Sequence, residues 1–246
     1  MPRTFGLIGY PLSHSFSKGY FTEKFAKEDI RDTVYELFPI DTIEKFPELI
    51  RSQPGLRGLN VTIPYKEAVI PYLDSLDEGA AAIGAVNTIV LSGNTAKGYN
   101  TDVYGFGISF RKHLQSHHKN ALVLGTGGAS KAVIYALRQL GISYQYVSRN
   151  REEHKWNYED ITPEMLDHYH VIINTTPVGM YPHVEDLPPL PYEALTKDHY
   201  LYDLVYNPGT TAFLQKGKEK GAVTENGLEM LYLQAEKAWE IWNSPV

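Results

Sequence analysis

Short apolar segments rich in β-branched and aromatic residues alternate along the chain with segments of helical periodicity. In the first part of the chain, three of the apolar segments predict strands, at residues 5–9, 33–40 and 58–63. The stretch "NTIVLSGNTAKGYN" follows them and predicts a hairpin that turns at "SGN". Helical patterns lie between the strands, at residues 17–28, 42–52 and roughly 65–83.

The second part of the chain continues the alternation with four further strand-like segments, at residues 121–125, 144–149, 171–176 and 200–205. Helical stretches are predicted between them, at about 128–140 and 209–220. Strand–helix alternation is typical of mostly parallel sheets that helices cover on both faces. The pattern therefore predicts an α/β protein.

Two features of the sequence predict how the chain divides into domains. The polar stretch "SHHKN" at 116–120 separates a linker helix over 102–116 from the next strand. The C-terminal segment has the apolar spacing of a core-facing helix, with Leu228, Leu231, Ala235, Ala238 and Trp242. We therefore expect an N-terminal domain of residues 1–101, joined by the C-terminal helix 227–246, and a second domain of residues 102–226.

Composition and charge argue against several classes of protein. The 246 residues carry a formal net charge of −6 without a long basic segment, which disfavours binding to nucleic acid or to anionic membranes. The chain has no cysteine, which excludes disulfides and thiol catalysis, and its histidines show no metal-ligand spacing. The N terminus lacks the apolar region of a signal peptide, and no segment approaches the ~18 apolar residues of a membrane span. We expect a cytoplasmic protein without a metal.

The segment "LVLGTGGASKA" follows a strand pattern and begins a helix. Gly125 and Gly127 fill the first two positions of the dinucleotide-binding pattern G-x-G-x-x-G, and Ser130 takes the third. Glycines let the backbone approach a pyrophosphate, which the helix N terminus meets with free N–H groups and a positive dipole end. The segment therefore predicts a Rossmann-like second domain. The simpler alternative is a tight strand–helix turn whose glycines serve packing.

The end of the next strand indicates which dinucleotide is bound. In NAD-binding domains, an acidic residue about 20 residues after the glycine loop usually binds the ribose 2′-OH. Here the strand ends in "VSRNR", with Arg149 and Arg151 in that place and no acid before Glu152. Because a guanidinium suits a 2′-phosphate, the sequence favours NADP(H). The alternative is a solvated basic loop.

Polar residues also collect at strand ends and turns, in the segments "SHSFS", "NVTIPYK", "GAVNT", "GYNTD" and "MLYLQ". Together they offer hydroxyls, amides, one ammonium and one carboxylate, which suits a small polyhydroxylated anion better than an apolar ligand. Each segment also has a simpler interpretation. Ser17 or Asp102 could cap a helix, and Lys66 could be a solvated residue in a first helical turn.

These segments together resemble the shikimate dehydrogenase family, the NADP-dependent enzymes of aromatic amino-acid biosynthesis. "GYPLSHSFS" is similar to the family's opening G-x-P-x-x-H-S-x-S, and "NVTIPYK" matches its N-V-T-x-P-x-K. "GAVNT", "GYNTDVYG", "GTGGASKA", "INTTPVGM", "DLVYNP" and "GLEMLYLQA" extend the resemblance along the whole chain. The resemblance implies a substrate-binding first domain, an NADP-binding second domain, and reversible hydride transfer between NADPH and the C3 carbonyl of 3-dehydroshikimate, giving shikimate.

The resemblance also implies roles for individual residues. Lys66 and Asp102 correspond to the catalytic pair. The residues expected to bind the substrate, whose carboxylate the two serines would hold, are Ser15, Ser17, Thr62, Asn87, Tyr206 and Gln234. The residues expected to bind the cofactor are the loop Gly125, Thr126, Gly127, Gly128 and Ala129, with Arg149 at the 2′-phosphate and Val205 and Gly227 near the nicotinamide. The expected partners are small molecules, and the protein is expected to be a monomer or a homodimer.

Some positions depart from the family pattern, and other functions stay open. Lys18 replaces the proline that usually follows the second serine, and Glu153 stands where a second basic residue is frequent, for which Arg151 or Lys155 could compensate. The enzymatic alternatives are an NAD-using quinate/shikimate dehydrogenase and a methylene-tetrahydrofolate dehydrogenase. The non-enzymatic alternative is an NADP(H)-binding sensor of the same fold, against which the presence of both Lys66 and Asp102 argues.

Overall fold

The computed structural model describes residues 2–12, 15–93, 95–150 and 154–244. The chain divides into two compact units, one formed by Met1–Thr101 with Ala235–Val246 and the other by Asp102–Gln234. Each unit contains one six-stranded sheet with helices around it, so the predicted α/β class is confirmed. In the described part of the chain, no helix is long and apolar enough to cross a membrane.

The first unit is built on a mixed sheet, named sheet A. Its strands are β1 (Arg3–Gly9), β2 (Thr33–Pro39), β3 (Leu56–Val61), β4 (Ser75–Leu76), β5 (Thr88–Ser92) and β6 (Thr95–Tyr99). They lie in the order β2-β1-β3-β5-β6-β4. β1 is parallel to β2 and β3, and β4 is parallel to β6, whereas β5 is antiparallel to both of its neighbours. The antiparallel pair of β5 and β6 confirms the predicted hairpin.

The helices of the first unit are α1 (Phe16–Lys27), α2 (Phe46–Ser52), α3 (Tyr65–Ala68) and α4 (Glu78–Ile83). The prediction of one helix over 65–83 is wrong. Pro71, which has no N–H to donate, lies in a separate 3-10 turn, and β4 pairs with β6. Asp77 then begins a new helix, because its Oδ1 accepts a hydrogen bond of 2.9 Å from the N–H of Ala80.

The second unit is built on an all-parallel sheet, named sheet B. Its strands are β7 (Asn120–Leu124), β8 (Ser143–Ser148), β9 (Trp156–Asn157), β10 (Val171–Asn174), β11 (Tyr200–Asp203) and β12 (Val223–Asn226). They lie in the order β12-β11-β10-β7-β8-β9. Counted from β7, this is the 3-2-1-4-5-6 order of doubly wound sheets, in which ligands bind at the carboxyl ends where the order reverses. In sheet B that point lies between β7 and β10.

The helices of the second unit are α5 (Asp102–Arg111), α6 (Gly128–Gln139), α7 (Pro163–Leu166), α8 (Ala212–Glu219) and α9 (Leu228–Asn243), the last of which ends in the first unit. The linker helix is shorter than the predicted 102–116. The N–H of Gln115 donates to Nδ1 of His118 at 3.0 Å, so it is not available to extend the helix. Helix α8 begins at 212 because Thr211 caps it by accepting from the N–H of Leu214.

The C-terminal part of α9 completes the core of the first unit. The ring of Trp242 stacks on that of Phe5, with 4.8 Å between centroids. Its Nε1 donates to the carbonyl of Ile89 at 3.0 Å. A Cβ on Gly58 would lie 2.3 Å from this Nε1, so β3 and the indole ring approach each other more closely than any side chain at residue 58 allows.

We expect Gly58→Ala to lower the free energy of unfolding by about 1–3 kcal/mol, the usual effect of overpacking a core. The hydrogen bond to Ile89 holds the Trp242 ring in place, so the ring cannot move away without a loss. Gly19→Ala in α1 is the control, because a Cβ there meets no atom within 4 Å. It should raise stability by about 0.5–1 kcal/mol. Urea unfolding measures both, and equal stability of Gly58→Ala and the wild type would contradict this packing.

Candidate active site

One edge of sheet A collects the polar segments of the first unit. β1 and β3 are parallel, so both end at this edge. β5 begins at the same edge, with Thr88 opposite Asn60, and β6 ends there, with Tyr99 opposite Thr88. The segments after β1 and β3, before β5 and after β6 therefore meet. They contain Ser15, Ser17, Thr62, Lys66 and Asn87, and the last of them leads into Asp102.

Lys66 lies on α3, directly beyond the end of β3. The preceding Tyr65 is buried, and its hydroxyl donates to the carbonyl of Ile40 at 2.7 Å, which anchors the short helix to the core. The carbonyl of Lys66 accepts from the N–H of Val86 at 2.7 Å. The side chain of Lys66 is half-buried. The backbone that carries this ammonium is therefore fixed on both sides.

Asn87 connects the segments at this edge. Its side chain is only 3% exposed. The carboxamide oxygen accepts from the N–H of Thr101 at 2.7 Å, and the carboxamide nitrogen donates to Oγ1 of Thr101 at 3.0 Å. Since Val86 bonds to Lys66, the same two-residue segment fixes the backbone at residues 66 and 101.

Asp102 follows Thr101 directly and is a buried carboxylate, 6% exposed. It is the first residue of α5. A carboxylate in a first helical turn interacts favourably with the N-terminal end of the helix dipole. Asp102 therefore has a local structural reason to be acidic in addition to any catalytic one.

The serine segment is tied to Asn87 by a buried polar network that the sequence does not indicate. Burial raises the pKa of Tyr35, although a hydrogen bond with Ser17 opposes this shift. The Tyr35 hydroxyl therefore stays protonated, and it donates to Oδ1 of Asn60 at 2.7 Å. Nδ2 of Asn60 in turn donates to the carbonyl of Asn87 at 3.3 Å. Ser17 and Asn87 are thus connected through two buried side chains, Tyr35 and Asn60.

The structure corrects which serine caps α1. The side-chain oxygen of Ser15 accepts from the N–H of Lys18 at 3.3 Å, so Ser15 is the cap, whereas Ser17 lies within the first turn. Lys18, at the position where the family pattern has proline, has its ammonium 2.8 Å from the Glu36 carboxylate. The remaining polar residues of the segment, Ser13 and His14, lie outside the described residues.

In the second unit, the glycine loop follows β7 at the point where the strand order of sheet B reverses. Gly125 has a φ of +101°, a conformation that favours glycine, and a Cβ there would lie 2.8 Å from Cγ2 of Thr176. Gly127 is the N-cap of α6, and a Cβ there would meet no atom within 4 Å. The loop therefore leaves its backbone and the helix N terminus accessible, as a bound pyrophosphate requires.

Ser130 explains how the loop functions without a third glycine. Its side chain is fully buried, and Oγ donates to the carbonyl of Gly127 at 2.7 Å. A small residue at this position allows close packing between helix and sheet, which is the usual role of the third glycine. Thr126, Gly128 and Ala129 complete the predicted loop, with α6 beginning at Gly128.

Arg149 comes directly after β8 and is exposed. Its carbonyl accepts from Nδ2 of Asn157 at 2.8 Å, which joins this segment to β9. Burial raises the pKa of Tyr158, and the guanidinium of Arg149 opposes that shift, so the two side chains interact electrostatically. Arg151, Glu152 and Glu153 lie outside the described residues. The ammonium of Lys155 lies 5.9 Å from the centroid of the Tyr146 ring.

A buried carboxylate at the end of β11 is a feature that the sequence analysis missed. Oδ2 of Asp203 accepts from Oγ1 of Thr211 at 2.6 Å, and Oδ1 accepts from Nδ2 of Asn174 at 2.9 Å and from the N–H of Val205 at 3.0 Å. Burial raises the pKa of Asp203 to about 6, although these three hydrogen bonds oppose the shift. The sequence contained a signal, since the apolar strands "VIIN" and "YLYD" both end in a polar residue.

The remaining predicted residues follow β11 or lie close to α9. Val205 is buried and its carbonyl accepts from the N–H of Gly227 at 3.2 Å, whereas Tyr206 is exposed. A Cβ on Gly227 would lie 2.1 Å from the carbonyl oxygen of Leu204, so this position requires glycine. Gln234 is buried, and its Nε2 donates to the carbonyl of Leu231 at 2.9 Å.

The parallel sheet order, with a glycine loop where that order reverses, defines the second unit as a Rossmann-like dinucleotide-binding domain. A family model described as "Shikimate dehydrogenase substrate binding domain" matches residues 7–89. The "Shikimate dehydrogenase (NADP(+))" of Clostridium beijerinckii is 43% identical, over 97% of this chain and 91% of the relative. The chain therefore belongs to the shikimate dehydrogenase family, a family of oxidoreductases.

Solved structures agree with this assignment. Shikimate 5-dehydrogenase from Thermus thermophilus, in complex with NADP(H) and shikimate, is 30% identical with a TM-score of 0.86, and the match covers 100% of this chain and 95% of that one. Shikimate 5-dehydrogenase from Listeria monocytogenes, in complex with shikimate and NAD, is 29% identical with a TM-score of 0.83, over 98% and 91% of the two chains. The two-domain fold is thus confirmed.

The raised pKa of Asp203 predicts how stability varies with pH. The folded protein binds this proton more tightly than the unfolded chain, whose carboxyl has a pKa of 3.8. The contribution of Asp203 to stability is therefore fully present below pH 3.8 and is lost as the pH rises through about 6. The unfolding free energy of the wild type, minus that of Asp203→Asn, should fall by about 1.4 kcal/mol between about pH 5 and about pH 7.5.

Urea unfolding of both proteins at a series of pH values measures this difference. Subtracting the Asp203→Asn values removes the titration of the other carboxylates, among which Asp41, Glu44, Glu164 and Glu193 have lowered pKa values and act in the opposite direction. A wild-type minus Asp203→Asn difference that stays constant with pH would contradict the raised pKa.

Proposed function

We propose that the protein catalyses the reversible, NADP-dependent reduction of 3-dehydroshikimate to shikimate. The observation that carries this proposal is the hydrogen-bonded set of polar residues at one edge of sheet A, in a chain that also carries a dinucleotide loop. Hydroxyls, carboxamides and an ammonium that are fixed by buried contacts suit a small, polyhydroxylated carboxylate. The names of the relatives and the shikimate bound in the solved neighbours support the same substrate.

In this proposal Ser15 and Ser17 bind the substrate carboxylate. The hydroxyl of Ser15 already accepts from the N–H of Lys18, which leaves its proton free to be donated to an anion. Both serines lie at the start of α1, where the N-terminal end of the helix dipole favours negative charge. The other proposed substrate-binding residues, which would contact its hydroxyl groups, are Thr62, Asn87, Tyr206 and Gln234.

Lys66 is the proposed general acid and base. The glycine loop would hold NADPH, whose nicotinamide would supply a hydride to the C3 carbonyl carbon. The carbonyl oxygen then needs a proton, which the Lys66 ammonium donates, leaving a neutral amine; in the oxidation direction the amine takes the proton back. The Asp102 carboxylate orients the ammonium and favours its charged form. The anchored backbone of α3 supports this role, because proton transfer requires a donor at a fixed position.

The cofactor proposed for this chain is NADP(H). The glycine loop Gly125, Thr126, Gly127, Gly128 and Ala129 binds the pyrophosphate, and Val205 and Gly227 adjoin the nicotinamide. The exposed guanidinium of Arg149 is available at the end of β8 to bind the 2′-phosphate. An NAD-using quinate/shikimate dehydrogenase is the second candidate, because the solved neighbour from Listeria monocytogenes contains NAD.

Lys66→Ala should lower kcat by roughly 10²–10⁴-fold, the usual effect of losing a general acid–base group. Shikimate affinity should change much less, because hydroxyls and carboxamides of other residues hold the substrate. Steady-state oxidation of shikimate gives kcat, and calorimetric titration of shikimate gives its Kd. Lys27→Ala, an exposed lysine of the same unit, is the control and should match the wild type. A kcat for Lys66→Ala close to that of the wild type would exclude Lys66 as the proton donor.

Arg149→Ala should weaken NADP⁺ binding by about 10-fold and change NAD⁺ binding little. A charge-assisted contact to the 2′-phosphate contributes about 1.5–3 kcal/mol of binding free energy. Because Arg149 is exposed, we expect its contribution to lie at the lower end of this range. The ratio of kcat/KM for NADP⁺ to that for NAD⁺ measures the preference. Arg111→Ala, an exposed arginine of the same unit, should leave the ratio unchanged. Equal losses for both cofactors would refute the proposed role of Arg149.

The central experiment is oxidation of NADPH in the presence of 3-dehydroshikimate. Turnover that requires this substrate supports the proposed reaction. Binding of NADPH without turnover would instead favour a sensor of the same fold. Oxidation of quinate with NAD⁺ at a rate comparable to that of shikimate with NADP⁺ would favour the second candidate.

A further inference from the structure

Asp203 is a buried carboxylate that the proposed reaction does not use. Its three hydrogen-bond donors come from three places, namely the cap of α8 at Thr211, the segment after β11 at Val205, and the end of β10 at Asn174. The side chain has no exposed surface. One carboxylate therefore joins three chain segments at the edge of sheet B where the glycine loop lies.

A first line of contacts leads from Asp203 to the glycine loop. Asn174 donates to Asp203 with its nitrogen, while its oxygen accepts from Oγ1 of Thr176 at 2.6 Å and from the N–H of Thr176 at 3.1 Å. The methyl group of Thr176 packs so closely on Gly125 that a Cβ there would be 2.8 Å away. Asp203 is thus connected to Gly125, the first glycine of the loop, through the side chains of Asn174 and Thr176.

A second line of contacts leads to the segment proposed to adjoin the nicotinamide. The N–H of Val205 donates to Asp203, and its carbonyl accepts from the N–H of Gly227 at 3.2 Å. The carbonyl oxygen of Leu204 lies where Gly227 has no room for a side chain. Asp203 therefore holds the N–H of Val205, and the backbone of Gly227 holds its carbonyl, so the segment 204–205 is fixed from two directions.

At neutral pH the charge of Asp203 does not stabilise the fold. Its raised pKa means that carrying the charge at neutral pH costs free energy of folding. The groups that bond to the Asp203 carboxylate are the neutral Thr211, Val205 and Asn174. Tyr192, whose pKa is raised mainly by burial and also by Tyr158 and Asp203, is uncharged at neutral pH as well. An asparagine would have the same shape without the cost, and a buried charge is weak support for stability.

We propose that Asp203 is a positioning residue for the dinucleotide, which it holds in place indirectly through the glycine loop and the segment 204–205. The inference rests on the proposed function, because it assumes that NADP(H) binds at this edge of sheet B. An ionised carboxylate accepts from all three donors at once, and its two oxygens have capacity for each. It can therefore order three segments that a smaller or apolar residue would leave independent.

The first test is the Kd of NADP⁺ for the full chain, measured by calorimetry. Asp203→Ala should weaken NADP⁺ binding by about 10- to 100-fold, because the Asn174 side chain and the Val205 N–H both lose the buried acceptor that holds their segments in place. Asp203→Asn should stay within about threefold of the wild type, because its oxygen still accepts from two donors and its nitrogen can donate to Oγ1 of Thr211. Shikimate affinity should change by less than about threefold, since most of its proposed binding residues belong to the first unit.

The second test follows the contacts toward the glycine loop. Thr176→Val removes the hydroxyl that bonds to Asn174 but keeps the methyl group against Gly125. It should weaken NADP⁺ binding. The double variant with Asp203→Ala should raise the Kd of NADP⁺ by less than the product of the two single increases, as expected for residues coupled through one set of contacts. Thr211→Val is the matched control. It also removes a hydroxyl bonded to Asp203, but on the α8 side, so it should lower the melting temperature and leave the Kd of NADP⁺ within about twofold.

The outcomes separate this inference from the proposed function. A wild type that does not bind NADP⁺ would refute both. A wild type that binds NADP⁺, with Asp203→Ala binding it equally well, would refute the positioning role alone. Equal weakening by Thr176→Val and Thr211→Val would also refute it, because general destabilisation would then be the cause. If Asp203→Ala does not fold, the contrast between these two threonine variants and the retained affinity of Asp203→Asn decide the question.

Discussion

The carboxamide of Asn87 is the interaction on which the polar site of the first unit depends. It lies where β5 begins and bonds to both the backbone and the hydroxyl of Thr101, while the adjacent Val86 bonds to the carbonyl of Lys66. Tyr35 and Asn60 connect the same point to Ser17. Such a network is useful because a buried carboxamide must satisfy its donors and acceptors, and doing so permits few arrangements of the segments around it.

Sheet B also has hydrogen-bonded, buried polar side chains at its strand ends, close to the point where its strand order reverses. Asn174 and Asp203 end neighbouring strands and bond to each other, and through Thr176 and Val205 they fix the segments on either side. In both units, fully buried polar side chains at strand ends position loops that are themselves only partly buried. The loops can therefore present polar groups to a ligand without depending on it for their conformation.

Particular elements show how far the sequence could predict the fold. The strands of both sheets were predicted from apolar runs, but the two-residue β4 and β9 were not, because segments so short have no measurable periodicity. The four-residue β12 was missed because its sequence, "VTEN", is mostly polar and forms no apolar run. The prediction of one helix over 65–83 was wrong because apolar periodicity continues through Pro71 and Asp77, whereas in the structure these two residues divide the segment. The turn from strand to helix at the glycine loop was predicted correctly, because its requirement is local, namely the positive φ of Gly125.

The sequence by itself determined the fold class, the family and the glycine turn between β7 and α6, because each of these depends on residue types at short or fixed spacings. Only the tertiary structure decided which of those residues hold one another in place. Ser15 and not Ser17 caps α1, and Asn87 bonds to Thr101. Asp203 opens the segment "DLVYNP", but only the structure shows that its carboxylate bonds to the end of β10 beside the glycine loop. The reason is that strands distant in the sequence end side by side in a sheet, and hydrogen bonds between their ends depend on that register.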